Sequence, residues 1–301
     1  MAILKYFSRV LPARRPIGVR DLEHALAKNE FVFYYQPEWD LKTGQILGLE
    51  ALVRWNSPTR GLVAPMEFIP LMERSGLINK FTPLLLEQTL RDLNLIHRAG
   101  FGTLTMSINI SVVQLKDISF VSIIQKYLNK YKIAPQFLEC ELTESVEMHG
   151  HPLEERSLQA LQALRIPISI DDFGTAYSSF GHLKRVDAYK LKIDRDFVIN
   201  LFNDIKNEKI VRMIIQLGHS LGLMVLAEGI ETPEQEQWLL ANGCDAGQGF
   251  WFSRPLPLDL LLPFLKKHTG AAPARTPAKK PAAAKARKKP AAPKKRAPRK
   301  K

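Results

Sequence analysis

The segment "IPISIDDFGTAYSSF" (residues 166–180) begins as a short apolar run, typical of a buried strand, and ends that run with two adjacent carboxylates, Asp171 and Asp172. Burying one carboxylate without a partner costs on the order of several kcal/mol, and two neighbouring carboxylates also repel each other. We therefore expect this strand to end in a site that supplies positive charge.

Similar patterns recur along the chain, where strand-like apolar runs alternate with amphipathic, helix-like runs. The strand-like runs are residues 31–39, 46–55, 104–111, 137–143, 166–171, 188–194, 223–229 and 246–252. The helix-like runs are residues 65–77, 81–100, 122–131, 154–165, 207–222, 233–243 and 258–267. Repeated strand–helix units in this number predict an α/β fold, in which a parallel sheet closes into a (β/α)8 TIM-like barrel.

Polar side chains lie at or near the ends of most predicted strands. In a closed barrel, the carboxyl ends of the strands meet at one rim, where barrel active sites form. The residues expected to meet there are Glu50, Asn109, Glu141, Asp171, Asp172, Lys192, Glu228 and Gln248. The positive charge required by the aspartates would then come from one or two divalent cations, with Lys192 beside them.

This set of ligands favours a hard cation. Carboxylate and amide oxygens suit Mg²⁺, Mn²⁺ or Ca²⁺ better than zinc, and the seven histidines form no H-E-x-x-H pattern. Two such ions about 4 Å apart promote in-line attack of water on phosphorus. Lys192 would hold or deprotonate that water, or stabilise the charge of the transition state.

Each of these residues also has an ordinary structural explanation. A single glutamate at a strand end is more often salt-bridged than bound to a metal, and an isolated pair of aspartates usually begins a turn or a helix. Asn109 would serve as a helix cap, and Gln248 with its neighbouring glycines as a tight turn. Their joint position on successive strand ends is what favours a metal site.

The motifs, taken in order, resemble those of one family. They include "YYQPEWDLKTGQILG", "GLEALVRW" with its Glu50-Ala51-Leu52 triplet, "SINIS", "ELTES", "DDFGTAYSSF", "LKIDRDFV", "AEGIET" and "GQGFWFSRPL". On these motifs, residues 21–267 resemble the EAL-domain cyclic-di-GMP phosphodiesterases. The resemblance implies an EAL-type barrel with one antiparallel strand and hydrolysis of cyclic-di-GMP to linear pGpG. It further implies a need for Mg²⁺ or Mn²⁺, inhibition by Ca²⁺, and a homodimer.

The resemblance also implies a role for each matching residue. The metal ligands would be Glu50, Asn109, Glu141, Asp171, Asp172 and Glu228. They would hold two ions, with Asp172 bridging the two or binding the second. Lys192 would orient the attacking water or act as the general base, and Gln248 would help to hold the water and the metal shell. The catalytic group would comprise Lys192, Glu50, Asp172, Glu228 and Gln248.

Other matching residues would bind substrate or stabilise a loop. Arg54, four residues after Glu50, would bind phosphate, and Gln36 would line the substrate pocket. Glu144 and Glu231 would steady the loop that follows the aspartate pair.

That loop differs from the usual family pattern, D-D-F-G-T-G-Y-S-S-L, at Ala176 and Phe180. If position 176 needs a positive φ, alanine there costs on the order of 1 kcal/mol. The difference leaves open a second class of function, a cyclic-di-GMP receptor that binds the nucleotide and hydrolyses it poorly. A third class is a barrel aldolase with Lys192 as its Schiff base, although the surrounding carboxylates would keep that lysine protonated.

The charge of the chain is concentrated at its two ends. Residues 270–301 hold thirteen Lys and Arg and no acid, and removing these from the net charge of +13 leaves residues 1–269 neutral. Residues 269–301, rich in Lys, Ala and Pro, are predicted to be a disordered tail that could bind DNA, RNA or an anionic surface. The alternative is a solvated extension without function.

The remaining sequence divides into two parts. Residues 1–20 are basic and amphipathic, and we interpret them as a short helix packed on the domain or as a weak anchor on an anionic membrane. The resemblance implies that residues 21–268 are the phosphodiesterase domain. No apolar run is long enough to span a membrane. Two scattered cysteines, Cys140 and Cys244, indicate reduced thiols and a cytoplasmic protein.

Overall fold

A computed structural model describes residues 15–143, 151–174 and 186–268. Its strands are β1 (Phe31–Asp40), β2 (Ile46–Ser57), β3 (Gly61–Val63), β4 (Thr105–Asn109), β5 (Leu138–Thr143), β6 (Ile168–Phe173), β7 (Lys190–Ile193), β8 (Met224–Ala227) and β9 (Ala246–Gly247). Its α-helices are α1 (Val19–Ala27), α2 (Pro65–Arg74), α3 (Leu77–Arg98), α4 (Val112–Leu115), α5 (Phe120–Tyr131), α6 (Pro152–Ala163), α7 (Arg195–Ile199), α8 (Ile205–Ser220), α9 (Pro233–Ala241) and α10 (Leu258–His268).

The sheet closes on itself. Strands β2, β4, β5, β6, β7, β8 and β9 pair in parallel in that order. Strand β1 closes the ring by pairing antiparallel with both β2 and β9, and β3 extends β2 outside the ring. The predicted TIM-like barrel with one antiparallel strand is therefore confirmed.

Apolar side chains pack between the barrel and its outer helices. Helix α3 has the longest such face, with Leu86, Leu90 and Leu93 at helical spacing and fully buried. A second apolar cluster joins β7 and β8 to α8 and α9 and includes Val211 and Ile215. The helices therefore hold the strands from outside the ring.

The inside of the barrel is mostly polar in its central layers. The buried polar residues there are Glu38, Glu50, Ser107, Glu139, Glu141, Ser169, Asp171, Lys190, Lys192 and Gln248. Branched apolar residues usually fill this space in TIM barrels. Here, charge balance rather than apolar packing determines which side chains fit together in the interior.

Several predicted boundaries were wrong. The last strand was predicted over residues 246–252, but β9 has only two residues. The chain turns there because Gly249 lies against the backbone of Ile230, where a Cβ atom would stand 2.1 Å from the Ile230 carbonyl oxygen. Helix α3 begins at Leu77, after Gly76 with φ of 71°, rather than at residue 81.

Some predictions fall on parts of the chain that the structure does not describe. These are the amphipathic helix near residues 3–11, the turn at residues 175–183 and the basic tail. Within the described ranges, no helix has both the length and the apolar character needed to cross a membrane.

Candidate active site at the barrel mouth

A bulge at the end of β6 brings the two aspartates together. Adjacent residues of a regular strand point to opposite faces. Here the register between β6 and β7 shifts between Ile170 and Phe173, and Asp172 adopts a left-handed backbone with φ of 54°. Carboxylate oxygens of Asp171, Asp172 and Glu228 consequently lie within 4.8 Å of one another.

Lys192 supplies part of the positive charge that the aspartate pair requires. Its Nζ lies 2.6 Å from Glu228 Oε1, 2.8 Å from Glu141 Oε2, 3.3 Å from Asp171 Oδ1 and 3.8 Å from Glu50 Oε2. The lysine side chain is fully buried. Burial opposes its charged form, but the surrounding carboxylates outweigh that effect and raise the pKa of Lys192 well above its usual value.

One lysine does not neutralise so many carboxylates. Burial and the neighbouring negative charges raise the pKa of Glu141 and of Glu228 well above the usual value. Burial, followed by the charges of Asp171 and Asp194, raises the pKa of Asp172 to about 6. The mouth of the barrel therefore lacks positive charge, and protons would have to make up the difference.

Two amide side chains hold Glu50 in place. Asn109 Nδ2 donates to Glu50 Oε1 at 2.9 Å, and Gln248 Nε2 donates to Glu50 Oε2 at 2.7 Å. Gln248 Nε2 also lies 3.0 Å from Gln36 Oε1, and Gln36 Nε2 donates to the Ser253 carbonyl at 3.0 Å. Burial raises the pKa of Glu50, but Lys192 and the two amides outweigh it, so that the net shift is downward.

Two clefts open beside this acidic cluster. The polar cleft, of about 470 Å³, is lined by Gln36, Glu50, Arg54 and Glu228 among others. The apolar cleft, of about 640 Å³, lies between β2, α2 and α3 and reaches Asn109 and Asp172. Leu52 borders both clefts, so the acidic cluster is accessible from two sides.

The structure describes only some of the remaining predicted residues. Arg54 is half-buried on the wall of the polar cleft, and its Nη1 donates to the Val53 carbonyl at 2.8 Å. Glu231 lines the same cleft. Glu144, together with Ala176 and Phe180, lies outside the described residues, so the stabilisation of the loop by Glu144 and Glu231 stays a prediction.

Comparison with known proteins identifies the family. Residues 19–255 match the EAL domain. The chain belongs to the EAL-domain cyclic-di-GMP phosphodiesterase family.

Two curated relatives of this EAL domain come from Pseudomonas aeruginosa. The bifunctional diguanylate cyclase/cyclic di-GMP phosphodiesterase MucR is 38% identical over 244 residues, which are 81% of this chain and 36% of MucR. The cyclic di-GMP phosphodiesterase NbdA is 38% identical over 267 residues, which are 88% of this chain and 34% of NbdA. The EAL domain therefore spans about a third of the length of these relatives.

A solved structure shows the same fold. The MucR phosphodiesterase in complex with c-di-GMP superposes with a TM-score of 0.76 at 38% sequence identity, covering 80% of this chain and 98% of that one.

The mouth of this EAL domain fits a divalent cation. Asp171, Asp172 and Glu228 offer three carboxylate oxygens close together. Two buried acceptor atoms nearby, Glu141 Oε1 and Gln248 Oε1, have no hydrogen-bond partner among the described residues. An all-oxygen set of this kind suits Mg²⁺ or Mn²⁺, and the cation would supply the missing positive charge.

Sequence reasoning missed three residues of this mouth. Asp194 caps α7, where it accepts a hydrogen bond from the Asp196 backbone at 2.8 Å, and its carboxyl also hydrogen-bonds with that of Asp172. Its position two residues after Lys192 was the available signal, because that spacing repeats on one face of a strand. Phe250 and Arg254 line the polar cleft, with the guanidinium 4.1 Å from the ring centroid.

Proposed function

We propose that this EAL domain hydrolyses cyclic-di-GMP to linear pGpG. The observation that carries the proposal is the cluster of Asp171, Asp172 and Glu228 around Lys192, at the open end of the barrel. The two clefts support it, because a cyclic dinucleotide has two bases to place on either side of the phosphate that reacts.

The proposed metal site comprises more residues than the close triad. We assign two ions, Mg²⁺ or Mn²⁺, to a shared set of oxygen ligands, and we expect Ca²⁺ to inhibit. The residues of this set are Glu50, Asn109, Glu141, Asp171, Asp172 and Glu228. When bound, such ions lower the pKa of a coordinated water and neutralise charge on the phosphoryl oxygens.

Side chains of this protein would orient the attacking water, support Glu50 and bind phosphate. Lys192, held in its charged form by the carboxylates, donates a hydrogen bond that orients the attacking water. Gln248 fixes Glu50 by its hydrogen bond and thereby holds the edge of the site. Arg54, on the wall of the polar cleft, binds the phosphate that is not cleaved or steadies the one that is.

Incubation with cyclic-di-GMP and a series of metals, followed by chromatography, tests this function. We expect pGpG with Mg²⁺ and with Mn²⁺, and less of it when Ca²⁺ is added. Intact nucleotide binding without pGpG under either metal would instead establish a cyclic-di-GMP receptor, the alternative that Ala176 and Phe180 leave open.

The aldolase alternative is disfavoured by the contacts of Lys192. A Schiff base requires a neutral amine. Four carboxylates lie within 3.8 Å of this ammonium and stabilise its charged form.

We also propose a cellular location, an oligomeric state and a role for the tail. We place the reaction in the cytoplasm, because both Cys140 and Cys244 are buried free thiols. A homodimer is supported by the exposed apolar side chains of Phe202, Ile205 and Met213, and light scattering during gel filtration tests it. Residues 269–301 are proposed to bind a polyanion through their positive charge.

A further inference from the structure

A second charged cluster lies inside the barrel below the mouth. Lys190, two residues before Lys192, places its Nζ 2.6 Å from Glu38 Oε2 and 3.0 Å from Glu139 Oε2. Glu139 in turn lies two residues before Glu141 on β5. We call Lys190, Glu38 and Glu139 the lower cluster.

The lower cluster is shielded from solvent. Its three side chains are 2%, 1% and 0% exposed. Gly48 pairs with Glu38 across the sheet, and a Cβ atom at this glycine would stand only 2.4 Å from Thr105 Oγ1, so the glycine lets β2 and β4 lie close together beside the carboxylate. Tyr189 donates its hydroxyl to Glu139. Charge in this place is therefore screened by protein groups rather than by water.

Lys190 neutralises carboxylates that Lys192 would otherwise contact. Residues two apart on a strand lie about 6.6 Å apart, which a lysine side chain can span. The ion pairs of Lys192 within the described part of the chain all go to Glu50, Glu141, Asp171 and Glu228 at the mouth. Glu139, one step deeper, is already paired with Lys190.

We propose that Lys190 is a positioning residue, which keeps Lys192 at the mouth by neutralising Glu38 and Glu139 beneath it. Without Lys190, the two deeper carboxylates draw the ammonium of Lys192 inward, away from the phosphate. The loss of a buried cation also leaves more negative charge below the metal site. Lys190 therefore raises turnover and lowers the affinity of the site for a cation. This inference rests on the proposed phosphodiesterase activity.

The variant Lys190→Met tests the proposal with two measurements on the full chain. We expect kcat to fall at least tenfold with Mn²⁺, while calorimetric titration shows Mn²⁺ bound at least threefold more tightly. The double variant Glu38→Gln/Glu139→Gln retains Lys190 without its partners, and we expect it to bind Mn²⁺ at least threefold more weakly. General damage to the fold would instead lower kcat and weaken Mn²⁺ binding together.

A charge-neutral triple variant controls for loss of folding. Lys190→Met/Glu38→Gln/Glu139→Gln removes the whole ionic cluster, a change that proteins often tolerate when volume is kept. We expect it to fold and to recover kcat to within about threefold of the wild type. A folded triple variant with kcat more than tenfold below the wild type would overturn the proposal, as would failure of both methionine variants to fold.

The two proposals fail in different ways. Absence of pGpG from the wild-type chain defeats the proposed function, whereas the order of Mn²⁺ affinities still tests the role of the lower cluster. Normal turnover and unchanged Mn²⁺ affinity in Lys190→Met defeat only the positioning role.

Discussion

Lys192 Nζ lies 2.6 Å from Glu228 Oε1, and the two residues come from neighbouring positions of the barrel wall at β7 and the end of β8. The amine thus occupies part of the space that cations at the mouth would use. Any divalent cation that binds there must share carboxylates with this lysine.

Replacing Lys192 separates catalysis from cation binding. We expect Lys192→Ala to lower turnover at least about a hundredfold, because the attacking water loses its charged donor. Its affinity for Mn²⁺ should rise, since the carboxylates lose their competitor. Chromatography and calorimetry measure the two effects, and Lys206→Ala, on the exposed start of α8, serves as the control. Turnover equal to that of the wild type would contradict the assignment.

Replacing Glu50 tests the rim of the site. Glu50→Ala removes a proposed metal ligand and leaves the amides of Asn109 and Gln248 without their acceptor. We expect turnover to fall at least about a hundredfold, with the far-ultraviolet circular dichroism unchanged. Glu87→Ala, at a partly exposed pair with Lys130, is a matched loss of a carboxylate away from the mouth and should retain activity.

The metal-free protein should lose stability as pH rises from about 4 to about 6. The pKa of Asp172 is raised from 3.8 to about 6 by burial and then by Asp171 and Asp194. Its contribution to stability is fully present below about pH 4 and is lost as pH rises through about 6. Thermal unfolding in EDTA between these values measures the slope, which should be smaller in Asp172→Asn. An equal slope in the two proteins would show that Asp172 does not titrate there.

Both cysteines should resist thiol reagents in the folded protein. Burial, followed by the charge of Asp245, raises the pKa of Cys244 to about 12, and burial also raises the pKa of Cys140. We expect no reaction with Ellman's reagent over minutes under native conditions, and two reactive thiols per chain in guanidinium. Rapid labelling of the native protein would indicate that the barrel opens locally.

Removing residues 270–301 should abolish DNA binding and leave turnover intact. We expect the full chain to be retained on immobilised DNA in a salt-dependent manner, and the truncated chain to pass through. Turnover of cyclic-di-GMP should remain within about twofold, because the mouth is built from residues before the tail. Equal retention of the two proteins would exclude the tail as the cause of binding.

The sequence predicted the mouth better than it predicted the layer beneath. Glu50, Glu141 and Lys192 each follow a short apolar run, and this pattern predicted the rim even though Glu50 lies in the middle of β2. Lys190 and Glu38 lie within strands, and only the closure of β1 against β2 and β9 shows that they face the inside. The left-handed backbone of Asp172 could not be predicted either, because an Asp-Asp pair does not by itself indicate a bulge.

The two clefts at the mouth differ in character, since one is bordered by Arg54 and Glu231 and the other by Ile69 and Phe81. A ligand with twofold symmetry cannot meet them equally. On binding, the halves of such a ligand would become chemically distinct, and only one of its two equivalent bonds would face Lys192. Under the proposed function, this asymmetry predicts a single cleavage per encounter and a linear product.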